Sequence, residues 1–350
     1  MNPVCTQHPA AMTNGSRGQP SVFVVTVTYG DRQSLLQNVL VGLADQGVAK
    51  AVVVDNGAPW PVTATLTAQY GTFIDVVSMG RNTGSAGGYA AGIQRAIDLG
   101  AEFLWLLDDD NCPDSRCLEA LLQAHDTLRK QYLPAQLAVA AYRPEHQTRI
   151  TAGVTTSKDR TRPSGFCWCH LTDVPLKVLA YMPWCRRHGA LRSTVISDVA
   201  PYGGLLVHRS VINAIGIPNT DFVLYEDDTE FTYRLTSGGG CIALATRARI
   251  KDLEHSWPTR RSVRSMRILS LFRSGAEMRV FYGVRNRVYL ESHVFPRNRI
   301  MFALNRLAFN TLMAIATCRV GGAARRRLVR RAIMDGLQGR LGADPQFPLT

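Results

Sequence analysis

With 350 residues, 46% of them hydrophobic, the chain has room for one large domain or two ordinary ones around a sizeable core. That composition excludes collagen-like, disordered and disulfide-scaffold proteins. The formal charge of +13 is placed unevenly: residues 251–350 hold 19 Lys/Arg against 6 Asp/Glu, and residues 1–250 balance to zero. Such a basic segment, almost all of it Arg, meets anionic lipid, phosphate-bearing substrates or nucleic acid.

Residues 1–20 lack a continuous apolar segment and read as a loose tail rather than a signal peptide. The eight scattered cysteines are therefore expected as reduced thiols in the cytosol. SVFVVTVTY (21–29) is a β-branched run and predicts a buried strand. SLLQNVLVGLADQG (34–47) has helical spacing and a glycine stop. KAVVVDNG (50–57) and FIDVVSM (73–79) predict two further strands, GYAAGIQRAIDLG (88–100) a helix, AEFLWLLDDD (101–110) a fourth strand and DSRCLEALLQAHDTLRKQ (114–131) another helix. This alternation predicts an α/β fold with a mostly parallel sheet covered on both faces. Ligands of such sheets lie outside the carboxyl ends of strands, where Tyr29, Asp55, Asn82 and Asp108 fall.

Residues 143–200 predict long loops with short strands. YGGLLVHRSVI (202–212) predicts a strand, DFVLYEDDTEFTYRLTSGG (221–239) a loop entering a helix, and CIALATRARI (241–250) a strand. From about residue 263 the pattern is helical and basic. IMFALNRLAFNTLMAIATC (300–318) is apolar, yet its Asn305, Arg306 and Asn310 suit an amphipathic or core helix better than a membrane span.

Four stretches carry chemistry. In LDDDN, Asp108 and Asp110 alternate, so an extended strand end sets them on one side as a hard oxygen site for Mg²⁺ or Mn²⁺. An acidic strand-to-helix loop with Asp114 as N-cap is the other reading. GRNTGSAGGYAAGI (80–93) is a glycine-rich loop opening a helix, suited to an anion or simply to tight packing. YEDDTEFTYR (225–234) holds more acid at a helix start than capping needs and offers a general base. LEHSWP (253–258) places His255 after a strand, a ligand only if it meets the aspartates. A fifth stretch, with Cys167, Cys169, His170, Cys185 and His188, lacks a known zinc spacing and is expected to be an ordered loop with incidental thiols.

In order, VVTVTY, VVVDNG, NTGSAGG, LLDDDN, DDTEFTYR and EHSW resemble the successive signatures of family 2 inverting glycosyltransferases of GT-A fold, over about residues 21–290. They are most like the galactofuranosyl- and rhamnosyltransferase-like branch, and FYGVRNRVYL (281–290) resembles its Tyr-x-x-Arg-Asn segment. The resemblance implies a Rossmann-like GT-A domain over 21–258 and a basic, mainly helical part over 259–350. It implies Mn²⁺ or Mg²⁺ on Asp108, Asp110 and His255. Asp55 would meet the nucleobase, and Asn82 and the Gly87–Gly88 turn, with Tyr29, would line the nucleotide-sugar pocket. Asp109 would approach the donor sugar or ribose. Asp228 matches the base through its spacing to Glu230 and Arg234, with Asp227 the alternative. Gly30-Asp31-Arg32 departs from the usual Asn-Arg after the first strand.

The implied reaction moves galactofuranose from UDP-galactofuranose, or rhamnose from dTDP-rhamnose, to a hydroxyl of a glycan or lipid-linked saccharide, with inversion. The basic runs RRSVRSMRILSLFR (260–273) and ARRRLVRRAIM (324–334) predict helices that hold the chain on the inner face of the cytoplasmic membrane without spanning it. Homo-oligomers are compatible with the sequence. A sugar-phosphate nucleotidyltransferase would carry a Gly-rich basic loop after the first strand, where TVTYGDRQS lacks one. A nucleic-acid binder would carry a recognised motif beside its arginines, and none is seen, so nucleic acid is not an expected partner.

Overall fold

The computed structural model describes residues 20–144, 147, 161–172, 192–254, 276–320 and 323–349, and within 316–320 the backbone alone. The first half alternates as expected: β1 (Val22–Thr28), α1 (Gln33–Gly42), β2 (Lys50–Asp55), α2 (Val62–Tyr70), β3 (Ile74–Ser78), α3 (Gly84–Asp98), β4 (Phe103–Asp108), β5 (Asn111–Pro113), α4 (Cys117–Leu128) and β6 (Leu137–Tyr142). Then come β7 (Thr194–Ser197), β8 (Leu205–His208), α5 (Arg209–Ile215), α6 (Asp227–Ser237) and β9 (Cys241–Asp252). The chain continues into α7 (Glu277–Tyr289), a π-helical turn (Leu290–Val294), α8 (Arg299–Val320) and α9 (Ala323–Leu337).

The strands are apolar on both faces because both are covered. In β1 and β4, Phe23, Val25, Val27, Leu104 and Leu106 join one core layer. Their neighbours Val22, Val24, Phe103, Trp105 and Leu107 join the other. The sheet runs β3-β2-β1-β4-β8-β6-β9-β5, with β7 beside β9. β1 pairs in parallel with β2 and β4, β2 with β3, and β6 with β9. β8 runs antiparallel to β4 and β6, and β5 and β7 antiparallel to β9. β1 and β4 sit centrally, so their carboxyl ends open into one crevice, the place where ligands of such sheets bind.

Three local expectations change. The run 202–212 is a strand only over Leu205–His208, where the His208 side chain accepts from the Ser210 N–H at 3.2 Å and starts α5. Asp114 does not cap α4: it pairs with Lys251 at 2.9 Å, and the helix begins after Arg116, a left-handed residue at φ 59°. Asp109 and Asp110 lie in a turn between β4 and β5, so strand alternation does not align Asp108 with Asp110.

The C-terminal helices share a core with the rest of the chain. Val280, Phe281, Val284 and Val288 of α7 and Leu328, Val329, Ala332 and Ile333 of α9 cluster with Phe166, Cys167 and Val223. The basic run 260–273 lies outside the described residues.

Candidate active site

A cleft of about 810 Å³ opens at the ends of β1 and β4. Tyr29, Arg32, Asn56, Asn82, Ser85 and Asp108–Asp110 line it from the sheet side, and Leu224–Asp228, Met278, Arg279 and Leu349 complete it.

The acid wall answers to two arginines. Asp108 ends β4, accepts from the Tyr89 hydroxyl of α3 at 2.8 Å and lies 3.6 Å from Arg143. Asp109 is 3% exposed, and both its oxygens lie 2.9 Å from Arg32 Nε. Burial pushes its carboxyl up to about 7, with the Arg32 charge opposing the rise. Asp110 accepts from Asn111 at 3.1 Å, lies 3.4 Å from Arg32 Nη2, and is pushed up to about 6 by burial and then by Asp108. Arg32 also pairs with Glu254 and lies over the Tyr29 ring at 5.3 Å. Asp252, at the end of β9, gathers Arg143 at 2.5 Å and Asn111 at 2.8 Å. Gly203 lets these groups meet: a Cβ there would come within 2.6 Å of Asp108 Oδ2 and 2.7 Å of Arg143 Nη1.

The second acidic group starts α6. Asp227 is 3% exposed, accepts from the Ser85 hydroxyl at 3.0 Å, and leaves Oδ2 buried without a hydrogen bond. Burial, then the neighbouring Asp228 charge, holds its carboxyl well above the usual range. Asp228 is half-buried and accepts from the Thr229 N–H at 2.6 Å. The segment feeding this helix is strained, with Val223, Tyr225 and Glu226 all at φ between 63° and 67°. Arg285-Asn286-Arg287 of α7 pins it. Asn286 Nδ2 donates to the carbonyls of Phe222, Leu224 and Tyr225 at 2.7, 2.9 and 2.9 Å. Arg285 donates to the Gly342 carbonyl at 2.5 Å. Buried Arg287 sits between Glu226 at 3.5 Å and Glu291 at 2.6 Å.

Of the residues the sequence singled out, Tyr29, Asn82, Asp108, Asp109, Asp110, Asp227 and Asp228 line one cleft. Asp55, Gly87 and Gly88 are not among its lining residues. Asp55 Oδ1 accepts from the Ala58 N–H at 2.9 Å, closing the turn after β2. A Cβ on Gly87 would meet Thr83 at 2.6 Å and one on Gly88 would meet Val27 at 2.6 Å, so a side chain at either position would force its neighbour to shift. His255 lies outside the described residues, as do Cys185 and His188. Cys167 is buried, and its N–H and that of Trp168 both donate to Glu291. Sequence reasoning missed Arg32, Tyr89, Ser85, Arg143 and Asp252. The one signal for Arg32 is that three adjacent carboxylates demand a nearby cation.

Asp108 and Asp110 fit a hard divalent ion by their chemistry: two carboxylates at one strand end, with Asp108 raising the proton affinity of Asp110. Among the described residues no set of three or more His, Cys, Asp or Glu side chains is arranged around a metal position. The pair would therefore draw its remaining ligands from substrate or from a residue such as His255.

Residues 23–165 match the family described as Glycosyl transferase family 2. The chain is 27% identical to "Galactofuranosyltransferase GlfT1" of Mycobacterium tuberculosis over 227 residues, 63% of this chain and 66% of the relative. It is also 27% identical to the protein of that name from Mycolicibacterium smegmatis, over 62% of this chain and 66% of the relative. The chain thus spans just under two thirds of the length of these relatives. Its fold is similar to the crystal structure of GalNAc-T7 with UDP, GalNAc and Mn2+, at a TM-score of 0.55 and 11% identity, covering 91% of this chain and 58% of that one. Residues 23–165 are thus similar to glycosyltransferase family 2, and the chain has an α/β fold like that of GT-A glycosyltransferases.

Proposed function

We propose that the chain is an inverting hexosyltransferase that moves galactofuranose from UDP-galactofuranose to a hydroxyl of a glycan or lipid-linked saccharide in cell-envelope synthesis. The observation that carries this is one cleft that joins the acid turn Asp108–Asp110 to the helix start Asp227–Asp228, on a chain similar to GlfT1.

The cleft's own residues divide the work. Asn56 Oδ1 accepts from the Thr83 N–H at 2.9 Å, and Asn82 Oδ1 from the Gly84 N–H at 3.0 Å, so the ends of β2 and α3 form a fixed polar wall for the nucleotide. Arg32 neutralises Asp109, keeping that turn from repelling a diphosphate. Mn²⁺ or Mg²⁺, held by Asp108 and Asp110 with His255, would supply positive charge for the leaving diphosphate. Asp228 takes the acceptor hydroxyl proton on its carboxylate, a role generally worth about 10²–10⁴-fold. Asp227, more deeply buried and fixed on Ser85, holds the helix start beneath it.

The basic C-terminal part supports a peripheral place on the inner face of the cytoplasmic membrane, beside a lipid-held acceptor. The test is a screen of nucleotide sugars with chelated and Mn²⁺-restored enzyme. UDP-galactofuranose should be turned over in preference to dTDP-rhamnose, and turnover of dTDP-rhamnose alone would reverse the donor assignment.

A further inference from the structure

Helix α8 has two apolar faces and uses only one of them. Its inner face buries Phe302, Phe309 and Met313, with the rings of Phe302 and Phe309 each 5.5 Å from that of Phe166. Its outer face leaves Ile300 73%, Leu304 44%, Leu307 63% and Ile315 48% exposed. At 3.6 residues per turn these four fall within an arc of roughly 80° and along roughly 22 Å of helix. A stripe of this kind marks an interaction surface.

Charge identifies what covers it. Residues 292–334 contain nine Arg and no Asp, Glu or Lys. Arg297, Arg299 and Arg306 are exposed at or beside α8, and Arg326, Arg327 and Arg330 are exposed on α9. A second copy of the chain would bring these cations against their own kind, with no acid in the stretch to answer them. An anionic bilayer offers apolar depth for the stripe and negative headgroups for the arginines.

We infer that α8 is an interfacial helix that lays Ile300, Leu304, Leu307 and Ile315 into the surface of an anionic lipid bilayer. It does not cross that bilayer: no helix among the described residues is long and apolar enough to do so. Of the two basic runs the sequence singled out, 260–273 lies outside the described residues and 324–334 falls on α9. The apolar side of α9 is spent on the core through Leu328, Val329, Ala332 and Ile333, so α9 contributes only its arginines. The inference rests on the proposed function only for the purpose of such docking, since binding to vesicles is measured without any reaction.

The test is flotation of the full chain with phosphatidylcholine vesicles, with and without phosphatidylglycerol. Wild type should float with the anionic vesicles and not with the neutral ones. The Leu304→Ser/Leu307→Ser double variant keeps every charge and should lose more than about tenfold in partition. Arg299→Gln/Arg306→Gln should weaken binding and flatten its salt dependence. Thermal unfolding and UDP binding confirm that the variants are folded. Equal flotation with neutral vesicles, or an unchanged Ser variant, would overturn the inference. So would a wild-type dimer in sedimentation that the Ser variant dissolves. Vesicle binding without any sugar transfer would support the inference while sinking the galactofuranosyl reading. Transfer to a lipid-free acceptor without vesicle binding would do the reverse.

Discussion

Asp227 and Asp109 are carboxyls that burial holds near neutrality rather than at the usual value of 3.8. The native state then keeps a proton that the unfolded chain has already lost. Stability contributed by such a group is greatest in acid and declines as pH rises from 3.8 toward about 8 for Asp227. Asp227→Asn cannot titrate, so denaturant unfolding of that variant should show a shallower fall between those limits, and an identical slope would show that Asp227 does not carry the effect. Asp108 and Asp110 make a different prediction. Asp108→Ala, Asp110→Ala and His255→Ala should each reduce transfer by at least about tenfold and raise the Mn²⁺ concentration needed. Three variants with normal turnover in chelator would displace the proposed ion from this turn.

At the scale of elements, α3 lies against β1 because its glycines allow it. A Cβ on Gly88 would meet Val27, and one on Gly92 would come within 2.6 Å of Val25 and 2.8 Å of Val54. Gly88→Ala should therefore cost about 1–3 kcal/mol by overpacking while leaving UDP affinity intact. Weakened UDP binding at unchanged stability would return Gly88 to the pocket. Arg285 and Asn286 of α7 hold the backbone of 221–225, and Arg287 holds the Glu226 side chain. Asn286→Ala would remove the side-chain donor that the Leu224 and Tyr225 carbonyls share, and one of the donors to Phe222, at a cost of about 1–3 kcal/mol. Because that backbone delivers Asp227 and Asp228 to the cleft, turnover should fall as well. Urea unfolding and steady-state kinetics on the one variant check both halves.

For the molecule as a whole, the half of the fold that binds at strand ends was legible because its strands are apolar on both faces and end in polar residues. Asp108 stands at such a strand end with Asp109 and Asp110 in the turn after it, whereas Asp227–Asp228 were read from the excess of acid at a helix start. The boundary within 202–212 was not legible, since its apolar residues on either side of His208-Arg209-Ser210 suit a strand or a buried helix and only the His208 cap separates them. Arg32, Arg143, Asp252 and Glu254 were missed because they join the acid turn from far along the chain, through contacts that no local pattern records. The central claim is that this cleft transfers sugar with Asp228 as its base. Turnover of UDP-galactofuranose by Asp228→Asn, measured beside UDP binding, tests it most directly. The account predicts a loss of about 10²–10⁴-fold in kcat with UDP affinity preserved. Turnover at the wild-type rate, or a matching collapse of UDP binding, would contradict it.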